Sequence, residues 1–131
     1  MESKNIKGLF GVAEDHTEQN LSLDEHFIQN AESTFYFLME GQAMQPYIYH
    51  GDYLIVDRSR TQFLGQVLVV DYQGERICRY YTKDSGLPVL HAFDPAHRDI
   101  RVTDEESFVV FGVVTLSFRD LLRKGMVWEK R

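Results

Sequence analysis

The sequence predicts an all-β fold, either a β-sandwich or a partly open barrel, on three observations. Short apolar and aromatic segments recur from residue 34 onward, and each has about the length of one strand. Turn-forming dipeptides that contain glycine separate several of these segments. No regular helical pattern lies between them, which argues against an alternating α/β architecture. The 131 residues suit one domain with one core.

Each predicted strand is bounded by a recognisable turn signal. Gln73-Gly74 lies between two apolar segments and predicts a tight hairpin, and Ser85-Gly86 marks the next turn. Gly112 lies inside the last and longest segment, where it predicts a bulge or a bend. The predicted strands are 34–40, 52–59, 66–72, 75–83, 87–93 and 107–118.

The first 33 residues differ from the rest of the chain because they are polar and weakly patterned. Apolar residues in this segment are scattered, as at Leu21, Leu23 and Phe27. We therefore expect 1–33 to form a flexible N-terminal arm, extended or partly mobile, and 34–131 to form the folded domain.

Composition and charge exclude several classes of function. The net charge of −6 disfavours direct DNA binding, and no helix-turn-helix pattern is present in the sequence. No apolar run approaches the length of a membrane span, and the N-terminus lacks the features of a secretory signal, so we expect a cytoplasmic protein without membrane contact. A lone cysteine, Cys78, excludes an internal disulfide and a cysteine zinc cluster.

Two histidine-containing segments have simple structural interpretations. His50-Gly51-Asp52 predicts a turn entering a strand, with Asp52 bonded to nearby backbone amides. HAFDPAHRD, at 91–99, contains two histidines and two further aspartates, but their spacing fits no strong metal-ligand template. We therefore predict no metal and no cofactor.

Several short motifs follow one another in a fixed order along most of the chain. Together they resemble the LexA/UmuD family of self-cleaving serine–lysine peptidases (peptidase S24-like), and the UmuD branch above all. The motif of the catalytic cleft corresponds here to Gly41, Gln42, Met44, Pro46, Gly51 and Asp52, followed by Leu54-Ile55-Val56-Asp57, Gly65-Gln66-Val67, Gly74-Glu75 and Phe111-Gly112-Val113-Val114.

The chain departs from the family pattern at both catalytic positions. The family serine corresponds to Ala43, and the family lysine, five residues after the hairpin glycine, corresponds to Arg79. In such a dyad a hydroxyl attacks the peptide carbonyl and a neutral amine accepts its proton. A methyl group cannot attack, and an arginine cannot be deprotonated. The resemblance therefore implies a degenerate dyad with no intact catalytic residue.

No other residue is predicted to replace the dyad. Lys83 would lie about 13 Å farther along the strand than Arg79. Ser59 and Ser85 fall at strand ends or turns. Cys78 neighbours Arg79 and should point to the opposite face, into the core.

The resemblance implies a non-proteolytic accessory subunit. UmuD-like proteins lose an N-terminal segment and then partner a Y-family translesion polymerase of the UmuC type in the SOS DNA-damage response. The family cleavage position corresponds to Lys7-Gly8, so this chain is expected to begin close to where a processed form begins.

Two alternatives stay open from the sequence. The chain could be a LexA/UmuD-type peptidase whose serine was changed to alanine at position 43, which would still leave Arg79 unexplained. It could also be a dimerising regulatory fragment that acts on a LexA-like repressor or on an active UmuD-like protein. The RecA filament is a further possible partner that the resemblance implies.

The last predicted strand is apolar on both faces, so it needs a second layer or a partner. The family resemblance implies a homodimer, and symmetric pairing about a two-fold axis is the common solution. We expect the arm to contribute, with interface residues Phe108, Val110, Phe111, Val113 and Phe118.

Overall fold

The computed structural model describes residues 27–103 and 107–122. A short 3-10 turn, Ala31–Ser33, leads into the first of the seven strands found in these two stretches. The strands are β1 (Thr34–Leu38), β2 (Tyr53–Asp57), β3 (Val67–Tyr72), β4 (Glu75–Asp84), β5 (Leu87–His91), β6 (Ile100–Arg101) and β7 (Phe108–Phe118). The all-β prediction is confirmed. Most of the predicted arm, residues 1–26, lies outside the described residues.

All seven strands belong to one antiparallel sheet with the order β1-β2-β7-β3-β4-β5-β6. Strand β7, the last strand of the described residues, therefore lies between β2 and β3, near the centre of the sheet. Since β7 pairs with a neighbour along both edges, it joins the N-terminal hairpin of β1 and β2 to the rest of the sheet.

Two tight hairpins follow from local sequence. Gln73 and Gly74 have φ values of 50° and 82°, and Ser85 and Gly86 have φ values of 55° and 82°. A two-residue loop with positive φ at both positions is the type I′ turn, whose twist matches that of paired strands. Glycine adopts this conformation without steric cost, which is why both predicted turns are found.

A core cluster lies on each face of the sheet. Alternation along β3 separates them, because Val69 faces one cluster while Leu68 and Val70 face the other. The first cluster contains Met39, Met44, Ile48, Leu54, Val56, Val69 and Cys78. The second cluster contains Leu68, Val70, Leu90, Val102 and Val113.

Strand β7 is irregular where Gly112 predicts a bulge. Its pairing with β3 passes from Gly112 opposite Val69 to Val110 opposite Val70, so Phe111 has no register partner on β3. A Cβ at Gly112 would lie 2.7 Å from Cγ1 of Val56 and 3.1 Å from the carbonyl oxygen of Asp57. Only glycine permits this close approach of β7 to β2.

Within residues 27–103 and 107–122, no helix is both long enough and apolar enough to cross a membrane.

Candidate functional site

The loop that carries Ala43 is closed at its base by backbone hydrogen bonds. The amide of Met39 donates to the carbonyl of Asp52 at 2.8 Å, and the amide of Gly51 donates to the carbonyl of Met39 at 2.7 Å. These bonds bring the end of β1 to the start of β2 and enclose residues 39–52 between them. Gly41 adopts a φ of 85°, and its amide donates to Nδ1 of His50 at 3.0 Å. This hydrogen bond joins the two sides of the loop a second time, inside the first two bonds.

Two further contacts fix the position of Ala43 within this loop. The amide of Asp94, in the loop after β5, donates to the carbonyl of Ala43 at 2.9 Å. The next side chain, Met44, is fully buried in the first core cluster and anchors the loop against the sheet. Ala43 itself is buried.

Strand β4 supplies the opposite wall of the site. Its residues Cys78 and Arg79 pair with Val69 and Leu68 of β3. Cys78 belongs to the first core cluster, as the alternation of the strand predicts. Arg79 is half-buried, and its Nη1 donates to the carbonyl of Cys78 at 2.8 Å.

Ala43 and Arg79 line the same cleft, which has a volume of about 560 Å³. Gly41 and Gln42 of the predicted cleft motif also line it, whereas Met44 lies in the core beneath. The other three motif residues do not line the cleft. Gly51 and Asp52 form the backbone hydrogen bonds at the base of the loop, and Pro46 follows a cis peptide bond within it. The lining residues are Phe37, Leu38, Met39, Glu40, Gly41, Gln42, Ala43, Leu54, Val69, Glu75, Arg76, Ile77, Cys78, Arg79 and His97.

The groups around the cleft offer little nucleophilic chemistry. Ala43 presents a methyl group, and the guanidinium of Arg79 stays charged even though burial lowers its pKa. Cys78 also borders the cleft, but burial raises the pKa of its thiol to about 12, so it is not a thiolate at neutral pH. Lys83 is exposed near the far end of β4 and is not among the lining residues.

Asp52 serves as a structural anchor, as the turn interpretation predicts. Its side chain is buried, and its Oδ2 accepts the backbone amide of Tyr49 at 2.8 Å. Arg119, beyond the end of β7, also pairs with this carboxylate. Sequence reasoning missed Arg119, because 67 positions separate it from Asp52 and no local pattern links them.

The histidines and aspartates of residues 91–99 form two separate pairs. Nδ1 of His91 lies 2.8 Å from Oδ1 of Asp99, and Nδ1 of His97 lies 2.8 Å from Oδ2 of Asp94. Both pairs are partly exposed, and His97 also lines the cleft. Among the described residues no group of three or more His, Cys, Asp or Glu side chains could hold a metal ion.

The residues predicted to form a dimer interface occupy three different environments. Phe108 and Val110 pack against the second core cluster, and Val113 is buried within it. Phe111 packs against the first cluster. Phe118 is 37% exposed, and its ring stacks on Tyr53 with a centroid distance of 5.1 Å.

Comparison with known proteins identifies the family to which the chain belongs. The model of the family described as Peptidase S24-like matches residues 4–115. The chain belongs to this family, and the resemblance to the LexA/UmuD proteins, in particular to UmuD, is confirmed.

Three relatives illustrate this similarity. The chain is 30% identical over 111 residues to Protein ImpA of Salmonella typhimurium, which covers 82% of this chain and 74% of ImpA. It is 30% identical over 115 residues to Protein MucA of Escherichia coli, covering 84% of this chain and 76% of MucA. It is 27% identical over 109 residues to Protein SamA of Salmonella typhimurium, covering 82% and 75%.

Proposed function

We propose that this chain is a non-proteolytic, UmuD-like accessory subunit that acts in SOS mutagenesis. The relatives ImpA, MucA and SamA are UmuD-family proteins and support the UmuD-like role. The observation that carries the non-proteolytic part is the cleft itself, in which Ala43 and Arg79 stand at the positions that the family motif gives to serine and lysine.

The local chemistry supports the loss of peptidase activity at each step. An acyl-transfer mechanism needs a nucleophile and a base that can accept its proton. Ala43 supplies no attacking oxygen, Arg79 cannot accept a proton, and the neighbouring Cys78 thiol is protonated at neutral pH. The loop that carries Ala43 is nevertheless held by backbone hydrogen bonds and by the buried Met44. The site therefore keeps its backbone geometry although it lacks the reacting atoms.

We also propose that the chain forms a homodimer and that the dimer partners a Y-family polymerase of the UmuC type. An apolar surface supports the dimer. Register places six side chains on one face of β1, β2 and the end of β7, where Tyr36 is 69% exposed and Leu38 is 54% exposed. This outer face comprises Tyr36, Leu38, Tyr53, Ile55, Leu116 and Phe118.

The dimer is tested by sedimentation of the unmodified chain and of Phe118→Glu. A charge placed on the outer face should convert a micromolar dimer into a monomer, because an unpaired carboxylate would have to be buried at the interface. Leu64→Glu is the matched control, since Leu64 is also exposed but lies in the loop before β3. A monomeric unmodified chain, or equal dissociation by both variants, would contradict the proposed dimer.

The polymerase partnership is tested by affinity capture from the source cell, with one antibody against a Y-family polymerase and one against a LexA-like repressor. The proposal expects a Y-family polymerase to be retained by the tagged chain after DNA damage. Retention of a LexA-like repressor in its place would favour the regulatory-fragment interpretation. Retention of neither would contradict the proposed partnership.

A further inference from the structure

Arg79 differs from four other arginines because, within the described residues, its guanidinium has no carboxylate partner. Among the described residues, Arg60, Arg76, Arg101 and Arg119 each contact an aspartate. Arg79 makes one hydrogen bond, from Nη1 to the carbonyl of Cys78. Its Nε is buried and has no hydrogen-bond partner.

An incompletely satisfied guanidinium in a half-buried place is costly. A buried N–H without an acceptor loses its hydration and gains nothing in return, and a buried charge without a counter-ion costs more. The lowered pKa of Arg79 has burial as its main cause, which agrees with this picture. Glu75 and Asp99 raise the pKa of Arg79 through their charge, but neither contacts the guanidinium within ion-pair distance.

The other charged side chains around the cleft are either paired or exposed. Arg76 donates to both carboxylate oxygens of Asp71, and His97 pairs with Asp94. Glu40 and Glu75 are exposed, so water screens their charges. Among the described residues that line the cleft, Arg79 is therefore the cation without a counter-ion.

From this geometry we infer that the cleft is a carboxylate-binding site whose cation is Arg79. A carboxylate supplies the negative charge and the acceptor oxygens that the guanidinium lacks, and its planar shape matches the arginine fork. The lining combines two continuous stretches, 37–43 and 75–79, so the cleft is long enough to admit more than a single small ion. This goes beyond the proposed function, since it concerns what occupies the cleft.

The carboxylate has two possible sources, an acidic side chain of a peptide or a free small acid. The probes are an end-capped pentapeptide with a central glutamate, its glutamine counterpart and sodium acetate. Each is titrated into the full chain while amide chemical shifts of cleft residues are followed. The expected result is that the glutamate peptide binds at least about tenfold more tightly than the glutamine peptide.

Variants of the chain identify the cation. Arg79→Gln should abolish the preference for glutamate, and Arg79→Lys should retain part of it because an ammonium keeps the charge without the bidentate geometry. Arg101→Gln is the control, because Arg101 is exposed and paired with Asp84 away from the cleft. The comparison of the two peptides on the unmodified chain needs no variant and stands if Arg79→Gln fails to fold.

Each outcome decides the inference. Preference for the glutamate peptide with no acetate effect supports a peptide ligand, and saturation by acetate at the same residues supports a small acid. Equal binding of both peptides, absence of binding by every probe, or an unchanged preference in Arg79→Gln overturns the site. Since no polymerase or second protein enters this titration, its failure leaves the proposed function untouched.

Discussion

Arg119 binds the carboxylate of Asp52 through two nitrogens of its guanidinium. Its Nε donates to Oδ1 at 2.6 Å and its Nη2 donates to Oδ2 at 2.9 Å, while its Cζ lies 4.7 Å from the ring centroid of Tyr49. The carboxylate is buried, and it also accepts the amide of Tyr49. The residue that follows β7 thus fixes the loop that carries Ala43.

Arg119→Ala should therefore destabilise the chain. The change removes two hydrogen bonds from the buried carboxylate of Asp52 and leaves the one from the amide of Tyr49. Hydrogen bonds to charged groups contribute about 1.5–3 kcal/mol. Chemical denaturation should show a free energy of unfolding lower by about that amount. Amide chemical shifts of residues 41–50 should change together.

Arg101→Ala is the matched control for this experiment. Arg101 and Asp84 also form a close ion pair, but their side chains are 51% and 56% exposed. Exposed pairs contribute about 0–1 kcal/mol, so the control should be nearly as stable as the unmodified chain. Equal losses in the two variants would contradict the anchoring role of Arg119.

Gly112→Ala should destabilise the sheet by about 1–3 kcal/mol, because the new methyl group would overlap Cγ1 of Val56. The loss arises from steric overlap at the crossing of β7 and β2. Thermal unfolding measures it. The double variant Gly112→Ala with Val56→Ala should recover part of the lost space, whereas additive losses in the double variant would exclude steric overlap as the cause.

Asp57 should make the stability of the chain sensitive to acid. The hydroxyl of Ser59 lowers the pKa of this carboxyl, and bonds from the Ser59 amide, Ser33 and Arg60 act in the same direction against the opposing effect of burial. A folded-state pKa below the unfolded value stabilises the chain above that unfolded value, near pH 3.8, and the stabilisation is lost as pH falls through the folded pKa.

Asp57→Asn tests this dependence by comparison with the unmodified chain across pH. The variant should be less stable at pH 7 by about 1–3 kcal/mol, since the acceptor of several hydrogen bonds loses its charge. The difference should shrink below pH 3.8, where the carboxyl of the unmodified chain also becomes neutral. A difference that is constant between pH 7 and pH 3 would show that the charge of Asp57 has no part in it.

Cys78 should react slowly with thiol reagents in the folded chain. Burial raises the pKa of its thiol to about 12, so at pH 8 thiolates are about a thousandfold scarcer than in an ordinary cysteine. Alkylation by iodoacetamide, followed by mass spectrometry, should be at least about a hundredfold slower in buffer than in denaturing urea. Comparable rates would identify Cys78 as a reactive group of the cleft.

Most strands and both two-residue hairpin turns can be predicted from the sequence because their signals are local. Both two-residue turns have glycine at the second position, and β7 stands out through its long apolar run. Strand β6 was missed, since two residues, Ile100 and Arg101, carry no periodic pattern. The order of strands, with β7 between β2 and β3, depends on contacts that are distant in sequence.

The site shows the same division between local and distant information. Motif order identified Ala43 and Arg79, and the structure places both on one cleft. Neither the pairing of Arg119 with Asp52 nor the stacking of Arg58 and Arg76 on Phe111 leaves a sequence signal. These contacts join side chains that only the folded sheet brings together.

The intact mass of the purified chain, followed during incubation at alkaline pH and with activated RecA filaments, tests the central claim most directly. A chain without a nucleophile and a base should keep its full mass, and so should Ala43→Ser and Arg79→Lys alone, because each restores one partner of the dyad. The double variant provides the comparison in which both partners are present. A specific N-terminal truncation of the unmodified chain would contradict the non-proteolytic account.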